Sequence, residues 1–328
     1  MRVLVTGAAG FVGPHVVRAL RTRCGPDITV IPTSRDQCDH PSFGRVQALD
    51  VTDRAAVVSA VAQHRPTHII HLAGIAAPAA AADSPEWAWR VHVQGTLNVA
   101  HALIETSPAC WLINAGSGLV YGDSAGKGEP LDESTLLSPV DEYGATKAAG
   151  DLALGALTRR GLMCVRTRPF NHTGPGQTEA FVVTAFAMQI ARIEAGLDEP
   201  VIRVGNLNAK RDFLDVRDVV DAYARIVQNS KVVATGTILN IASGEARSVG
   251  SILEGLLSLS PARISVEHDP ARMRPSDPLV IVGNAEKARK LLAWSPGCPL
   301  EATLADVLAD CRDRIAMQGA TALHNHTE

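Results

Sequence analysis

A glycine loop near the start of the chain constrains the fold more than any other feature. The apolar residues 2–6 have the pattern of a short strand and lead into Gly7-Ala8-Ala9-Gly10-Phe11-Val12-Gly13, after which residues 11–23 have the pattern of a helix. In such a loop the first glycine permits a tight turn, the second lets the backbone approach a pyrophosphate, and the third permits close packing of the helix on the strand. The helix N-terminus adds N–H donors and a positive dipole. Because it lies between a strand and a helix, this loop predicts a dinucleotide site rather than a plain turn, with Gly7, Gly10, Phe11, Val12 and Gly13 as its residues.

Short aliphatic segments alternate with helical segments through the first half of the chain. The predicted strands are residues 2–6, 28–32, 46–49, 67–72, 111–115 and 163–167, and the predicted helices are residues 11–23, 53–64, 87–103 and 142–158. Because the strands are almost continuously apolar, the alternation predicts a parallel sheet covered by helices on both faces. The expected fold class is therefore α/β, a Rossmann-type doubly wound parallel sheet.

The second half has a looser pattern, with strands predicted near residues 201–204 and 237–241. We expect it to add one or two strands to the sheet and to form a smaller C-terminal substrate-binding lobe. The predicted division is a dinucleotide-binding domain at residues 1–168, completed by later segments, a mainly substrate-binding lobe at residues 169–316, and a frayed polar tail at residues 317–328.

The composition excludes several other classes of protein. Of 328 residues 46% are hydrophobic, and 31 Lys and Arg against 34 Asp and Glu leave a net charge of −3. This excludes intrinsic disorder and argues against a protein that coats nucleic acid or an anionic membrane. There is no run of about 18 apolar residues, so we expect no membrane-spanning helix. The expectation is a cytoplasmic protein that binds neither nucleic acid nor membranes.

Cysteine and histidine spacing gives no sign of a metal site. The six cysteines contain no C-x-x-C pair, being Cys24, Cys38, Cys110, Cys164, Cys298 and Cys311. They are expected to be reduced thiols rather than a disulfide framework or zinc ligands. His324 and His326 lie in the polar tail, so no metal is expected.

The end of the second strand bears on the choice of dinucleotide. Arg35 and the hydroxyl of Ser34 suit the 2′-phosphate of NADP, whereas Asp36 could bind the ribose hydroxyl of NAD. The sequence favours NADP(H), with NAD(H) possible. Further along the cofactor's path we expect Asp50 and Val51 beside the adenine, then Leu72, Ala73 and Gly74.

Tyr143 and Lys147 form a Tyr-x-x-x-Lys motif, and Ser117 follows the strand at residues 111–115. Four residues apart on a helix, Tyr143 and Lys147 share a face. A nearby ammonium would lower the pKa of the Tyr143 phenol from about 10 toward neutral pH, as a proton donor or acceptor requires. Ser117 would hydrogen-bond the substrate oxygen.

These motifs together resemble the extended short-chain dehydrogenase/reductases that act on nucleotide sugars. The stretches Arg168-Pro169-Phe170-Asn171-His172, Gly174-Pro175-Gly176-Gln177, the segment 204–213 and Arg274-Pro275-Ser276-Asp277 are similar to the GDP-mannose subgroup, which contains GDP-mannose 4,6-dehydratases and GDP-4-keto-6-deoxymannose reductases. The resemblance implies that Asn171 contacts the sugar phosphate and that Arg211 and Arg274 pair with the diphosphate, with Asp277 also in the substrate site. Guanidinium groups suit phosphate oxygens.

Two positions depart from the pattern of this family. Dehydratases carry an acid two residues after the catalytic Ser or Thr, where this chain has Leu119, which cannot act as a base. The second departure is His92, where the family commonly has Asn; because that helix mainly packs, we expect a local change in hydrogen bonding without loss of activity.

The resemblance, with Leu119, implies NAD(P)H-dependent reduction of the 4-keto group of GDP-4-keto-6-deoxy-D-mannose to GDP-D-rhamnose or its 4-epimer GDP-6-deoxy-D-talose. One alternative is a nucleotide-sugar 4-epimerase with tightly bound NAD, and another is a non-catalytic NADP-binding redox sensor, against which the intact Tyr143 and Lys147 argue. By resemblance a homodimer is expected, formed through the helices at residues 87–103 and 142–158.

Overall fold

The computed structural model describes residues 1–126, 128–272 and 278–324. Its α-helices are α1 (Val12–Cys24), α2 (Arg54–His64), α3 (Pro78–Asp83), α4 (Pro85–Trp89), α5 (Thr96–Thr106), α6 (Glu142–Thr158), α7 (Val182–Glu194), α8 (Val216–Asn229), α9 (Val249–Ser258), α10 (Glu286–Leu292) and α11 (Leu300–His324). Its strands are β1 (Arg2–Thr6), β2 (Thr29–Ser34), β3 (Cys38–His40), β4 (Gly44–Ala48), β5 (His68–His71), β6 (Trp111–Ala115), β7 (Cys164–Pro169), β8 (Asn171–Thr173), β9 (Val201–Val204), β10 (Lys210–Asp215), β11 (Ile238–Ile241), β12 (Ala246–Ser248), β13 (Ser265–His268) and β14 (Val280–Ile281).

The main sheet has eight strands in the order β11-β7-β6-β5-β1-β2-β4-β3. All pairs are parallel except β3 with β4, an antiparallel edge pair in which β3 was not predicted. The chain builds outward from β1 through β2 and then crosses to β5 on the other side, so the order reverses between β1 and β5. In a doubly wound sheet, the crevice for a ligand lies at the carboxyl ends of the strands at that reversal. The predicted α/β fold class is confirmed.

Alternate residues of each central strand serve opposite faces of the sheet. Val3 and Val5 of β1 belong to the buried cluster that includes α1 and α8. Leu4, between them, belongs to the cluster formed with α2 and α5. Because successive side chains of a strand point to opposite faces, a continuously apolar strand requires a helical layer on each side. This is why the sequence pattern predicted the doubly wound fold correctly.

The second half of the chain builds a separate apolar cluster from α7, α9 and α11 with β9. A smaller sheet of β12, β10 and β14, with β8 paired to β10, lies beside it. One later strand, β11, pairs with β7 in the main sheet. Helix α11 continues to His324, so the segment expected to be a frayed tail from residue 317 begins as helix. In the part of the chain that the structure describes, no helix is both long and apolar enough to cross a membrane.

The predicted helix at residues 87–103 differs most from expectation. It is a continuous helical segment made of α4, a π-helical turn at Arg90–Gly95, and α5. Apolar periodicity does not distinguish a π turn from α-helix, because a single wider turn leaves most of the pattern intact. Such turns occur frequently at functional sites, and this one carries His92.

Candidate active site

A cleft of about 1050 Å³ opens at the carboxyl ends of β1, β2, β5 and β6 and extends toward the C-terminal half. Its volume is at the upper end of the range for small-molecule sites, about 300–1,000 Å³. Nearly all of the predicted cofactor residues line it, namely Gly7, Gly10, Phe11, Val12, Ser34, Arg35, Asp50, Val51, Leu72, Ala73, Gly74, Tyr143 and Lys147. The cleft is therefore formed by segments that are far apart in the sequence, and each of them was predicted from a separate motif to bind the cofactor.

The three glycines of the first loop have three different surroundings. Gly7 has a φ of +67°, and a Cβ there would lie 2.8 Å from the Ala73 nitrogen. A Cβ on Gly13 would lie 2.0 Å from the Ala8 oxygen, so Gly13 serves helix packing beneath the cleft. Around Gly10 only the Gly7 oxygen, at 3.3 Å, comes near such an atom. The space beside Gly10 is thus open to the cleft, and the loop fits a bound pyrophosphate there.

The residues after β2 lie at the cleft surface. The Ser34 hydroxyl donates to the Asp36 carbonyl oxygen at 2.5 Å, and Arg35 Nε lies 3.2 Å from Asp36 Oδ2. Both charged side chains are largely exposed. A pair of this kind contributes about 0–1 kcal/mol, too little to hold Arg35 away from a bound phosphate. Cys38, which the sequence reasoning did not select, lines the same part of the cleft.

Three elements bring the proposed catalytic side chains together. Ser117 follows β6 and accepts a hydrogen bond from the Leu119 N–H at 3.1 Å. Tyr143 and Lys147 lie in α6, where the Lys147 ammonium is 5.9 Å from the centre of the Tyr143 ring. Lys147 Nζ donates to the Ala115 carbonyl oxygen at 3.2 Å. Ser117, Tyr143 and Lys147 all line the cleft, so the three groups border one region of it.

The pKa of Tyr143 moves opposite to the sequence expectation. Burial raises it to about 12, with the nearby Ser117 hydroxyl opposing the rise and Asp141 adding to it. Burial also lowers the pKa of Lys147 to about 8. The expectation that the Lys147 ammonium lowers the pKa of Tyr143 was wrong. The phenol loses its solvation on burial, and this effect outweighs that of the ammonium, which lies over the ring and donates to the Ala115 carbonyl oxygen. Tyr143 consequently holds its proton throughout the neutral range.

The position that separates dehydratases from reductases is apolar. Leu119 lines the cleft and packs in a small cluster with Tyr143, Ile75 and two alanines. Asp141 lines the cleft as well, but its carboxylate accepts the Gly144 N–H at 2.7 Å and caps α6. The Leu119 position therefore presents no carboxylate to the cleft.

Arginines reach the cleft from the C-terminal half. Arg211 lines it together with Asn171, and its Nη1 donates to the carbonyl oxygens of Lys210 and Pro278, each at 2.9 Å. Arg203 and Arg272 also line it, although sequence reasoning did not select them. Arg203 lies in the short strand β9, and its role became visible only because the structure places this strand beside the cleft. The predicted residues Arg274 and Asp277 lie outside the described residues.

The structure also places the histidines of the sequence motifs. His172 Nδ1 is hydrogen-bonded to the Phe170 oxygen at 2.9 Å, and its ring stacks on Phe11 with centroids 6.2 Å apart. His92 lies against the catalytic helix, with its ring centroid 5.6 Å from that of Tyr143. Within residues 1–126, 128–272 and 278–324, no group of three or more His, Cys, Asp or Glu could hold a metal ion, and all six cysteines are free thiols.

Comparison with known proteins gives matches along nearly the whole chain. The family described as GDP-mannose 4,6 dehydratase matches residues 4–307. GDP-6-deoxy-D-mannose reductase from Pseudomonas aeruginosa is 30% identical over 96% of this chain and 98% of its own. The structure of RMD from Pseudomonas aeruginosa complexed with NADPH matches with a TM-score of 0.83 at 28% identity, covering 95% of this chain and 99% of that one. The complex of UDP-glucose 4-epimerase from Thermus thermophilus with NAD matches with a TM-score of 0.79 at 27% identity, covering 95% and 99%.

Proposed function

Because the chain belongs to the GDP-mannose 4,6 dehydratase family, we propose that it is a short-chain dehydrogenase/reductase that reduces a keto group on a GDP-linked sugar. The substrate is GDP-4-keto-6-deoxy-D-mannose, and the product is GDP-D-rhamnose or its carbon-4 epimer GDP-6-deoxy-D-talose. The observation that carries the proposal is the meeting of Ser117, Tyr143 and Lys147 in a cleft that also receives Arg203, Arg211 and Arg272. The similarity to a GDP-6-deoxy-D-mannose reductase supports the choice of sugar.

The residues of the cleft can perform a ketone reduction in the following way. When bound, NADPH supplies a hydride to carbon 4 of the sugar. Tyr143 transfers its phenolic proton to the carbonyl oxygen, and the Ser117 hydroxyl donates a hydrogen bond to the same oxygen. The Lys147 ammonium stabilises the phenolate left on Tyr143 and is kept in place by the Ala115 carbonyl oxygen. One hydride and one proton are gained, so the ketone becomes a secondary alcohol.

The Leu119 position argues against a dehydratase, because a dehydratase needs a base where this chain has leucine. The raised pKa of Tyr143 keeps the phenol protonated near neutral pH, as the proton donor in a ketone reduction must be. An epimerase shares Ser117, Tyr143 and Lys147, so consumption of NADPH is the observation that separates it from a reductase.

For the reductant, Ser34 and Arg35 support NADPH because an exposed guanidinium beside a hydroxyl suits a 2′-phosphate. NADH is the alternative, and Asp36 would then bind the ribose. The similarity to a structure complexed with NADPH supports the first choice. Comparing kcat/KM for the two reductants tests it, and an Arg35→Ala variant should lose its preference for NADPH while its use of NADH changes little.

A homodimer is part of the proposal. Trp89 at the end of α4 is 42% exposed and Leu152 on α6 is 60% exposed, and these two helices contribute to the helical layer that was expected to pair. Sedimentation equilibrium should give twice the mass of the 34.6 kDa chain. A Leu152→Glu variant should shift it to the monomer, whereas wild-type protein that sediments as a monomer would contradict the homodimer.

The reaction itself is tested by incubating the purified protein with GDP-4-keto-6-deoxy-D-mannose and NADPH. We expect stoichiometric oxidation of NADPH and a new GDP-linked 6-deoxyhexose, whose configuration at carbon 4 is read by NMR. An epimerase would instead interconvert two nucleotide sugars without net consumption of NADPH and would retain NAD through purification. That outcome would overturn the reductase.

A further inference from the structure

Trp87 is a large aromatic residue of the cleft to which the proposed reaction assigns no role. It lies in α4, is half-buried and lines the cleft. The chain has four tryptophans, all of them among the described residues, and Trp87 is the one that lines the cleft. Trp111 and Trp294 are buried in the core, whereas Trp89, two residues along α4, is 42% exposed. An indole that borders a cleft presents a flat apolar surface to whatever binds there.

The packing of Trp87 places it at the end of the cleft where the adenine is expected. Its side chain packs against the buried cluster that contains Leu49 and Val51, two residues just after β4 that also line the cleft. Val91, one helical turn after Trp87, belongs to the same cluster and lines the cleft as well. The π turn approaches this end closely, since a Cβ on Gly95 would lie 2.8 Å from Val51 Cγ2. Trp87, Val91 and Val51 therefore border one part of the cleft.

The next residue of α4 faces the catalytic end of the cleft instead. Ala88 is buried in the small cluster that contains Tyr143. Because neighbouring positions of a helix point about 100° apart, Trp87 and Ala88 serve two different ends of the cleft. The diphosphate and guanine of the sugar nucleotide are expected beyond the catalytic end, in the C-terminal half that supplies Arg211. The position of Trp87 beside Val51 thus favours the adenine of the dinucleotide over the guanine of the substrate.

Arg90 restrains the orientation of this indole. Its guanidinium carbon lies over the Trp87 ring, 5.4 Å from the ring centre, and a cation in this position is attracted by the negative face of the ring. A ring that is already held in place loses little conformational freedom when a flat group packs against it, which favours binding. Every nucleic-acid base has a π face that can stack on an aromatic side chain. Trp87 is therefore prepared to stack on a base in the cleft.

We propose that Trp87 binds the adenine of the dinucleotide by stacking, with Arg90 holding the indole in place. This assignment rests on the proposed function, which supplies the dinucleotide and the direction in which it lies in the cleft. NADPH and NADH carry the same adenine, so Trp87 strengthens the binding of both. Its role is therefore distinct from that of Ser34 and Arg35, which discriminate between the two reductants at the 2′-phosphate.

Calorimetric titration with 2′,5′-ADP tests the stacking, because this probe carries the adenine and the 2′-phosphate but no nicotinamide. Removing an aromatic ring that stacks on a base lowers affinity by about 5- to 150-fold. We expect Trp87→Leu to weaken the binding of both 2′,5′-ADP and NADPH within this range, and Trp87→Phe to weaken it less, since phenylalanine keeps a ring. Adding 2′,5′-ADP should also quench the tryptophan fluorescence of the wild type, and this quenching should be lost in Trp87→Phe.

The matched control is Trp89→Leu, which removes an indole from the same helix at a position that does not line the cleft. This variant should bind 2′,5′-ADP like the wild type, and an equal loss of affinity in it would overturn the role of Trp87. Titration with GDP separates the two bases. Trp87→Leu should bind GDP like the wild type. A loss of affinity for GDP with unchanged affinity for 2′,5′-ADP would show that the indole meets the guanine of the substrate, which contradicts the proposal.

The outcomes remain distinguishable from failure of the proposed function. If the wild-type protein binds 2′,5′-ADP but reduces no GDP-linked keto sugar, the proposed reaction is wrong, and the titrations still decide on the stacking. If Trp87→Leu folds and binds 2′,5′-ADP like the wild type, the stacking is wrong. If Trp87→Leu does not fold, Trp87→Phe decides: quenching as strong as in the wild type would overturn the stacking, and lost quenching with the probe still bound would support it. A wild-type protein that binds neither NADPH nor 2′,5′-ADP would overturn both proposals.

Discussion

The ammonium of Lys147, half-buried at the cleft, leads to a prediction about stability that needs no substrate. Lys147→Met should make the cofactor-free protein more stable at neutral pH, because methionine fills similar space without a charge. Burial lowers the pKa of Lys147 from the ordinary 10.5 to about 8. Each pKa unit corresponds to about 1.4 kcal/mol, so burying the charge destabilises the fold by roughly 3 kcal/mol. Losing the hydrogen bond to Ala115 costs about 1 kcal/mol, which leaves a net gain of about 2 kcal/mol.

The dependence on pH identifies the cause. Below about pH 8 the side chain is protonated in both the folded and the unfolded protein, so the whole destabilisation is present. Between about 8 and 10.5 the unfolded chain still holds the proton that the folded protein has released, and stability therefore rises with pH through this range. The advantage of Lys147→Met should be constant at neutral pH, disappear at about pH 9.5 and become a disadvantage of about 1 kcal/mol as the pH approaches 10.5.

Urea unfolding of the wild type and the variant at several pH values measures this difference directly. Lys231→Met is a suitable control because Lys231 is exposed, and its unfolding free energy should match that of the wild type. A Lys147→Met protein that is no more stable than the wild type at pH 7 would show that the charge of Lys147 does not destabilise the fold. An advantage that does not shrink with rising pH would show that packing, rather than charge, is responsible.

Three further predictions concern the site and the glycine loop. Tyr143→Phe should lower kcat by about 10²–10⁴ while NADPH still binds, since only the proton donor is lost; retained turnover in a stopped-flow assay would remove Tyr143 from the mechanism. Gly10→Ala should weaken NADPH binding at least tenfold with little change in melting temperature, because its Cβ would point into the open space where the pyrophosphate is expected. Gly13→Ala should instead destabilise the whole protein, since its Cβ would lie 2.0 Å from the Ala8 oxygen, and calorimetry with a binding titration separates the two effects.

Sequence patterns correctly predicted the features that are determined by residues close together in the chain. The glycine loop, the bounds of β1 and α6, and the shared face of Tyr143 and Lys147 follow from residue spacing, because turn, strand and helix geometry fix them within a few residues. The doubly wound sheet followed from the same source, since continuously apolar strands need cover on both faces.

The remaining features depend on contacts between distant segments. The shift in the pKa of Tyr143 was predicted in the wrong direction. The Tyr-x-x-x-Lys spacing shows that an ammonium is near the phenol, but it does not show that the phenol is buried. Arg203 and Arg272 reach the cleft only through the packing of the C-terminal half. His92 was expected to change only local hydrogen bonds, and its contacts with Ile75 and Thr146 arise from a π turn that periodicity does not reveal.

The proposed reduction is tested most directly by following the hydride. The protein is incubated with GDP-4-keto-6-deoxy-D-mannose and NADPH deuterated at the transferable position of the nicotinamide ring, and the product sugar is examined by NMR and mass spectrometry. One deuterium per product molecule is expected, bound to carbon 4, and Tyr143→Phe should transfer it about 10²–10⁴ times more slowly. Product formed without deuterium at carbon 4, or sugar interconverted with NADPH left intact, would contradict the proposed reduction.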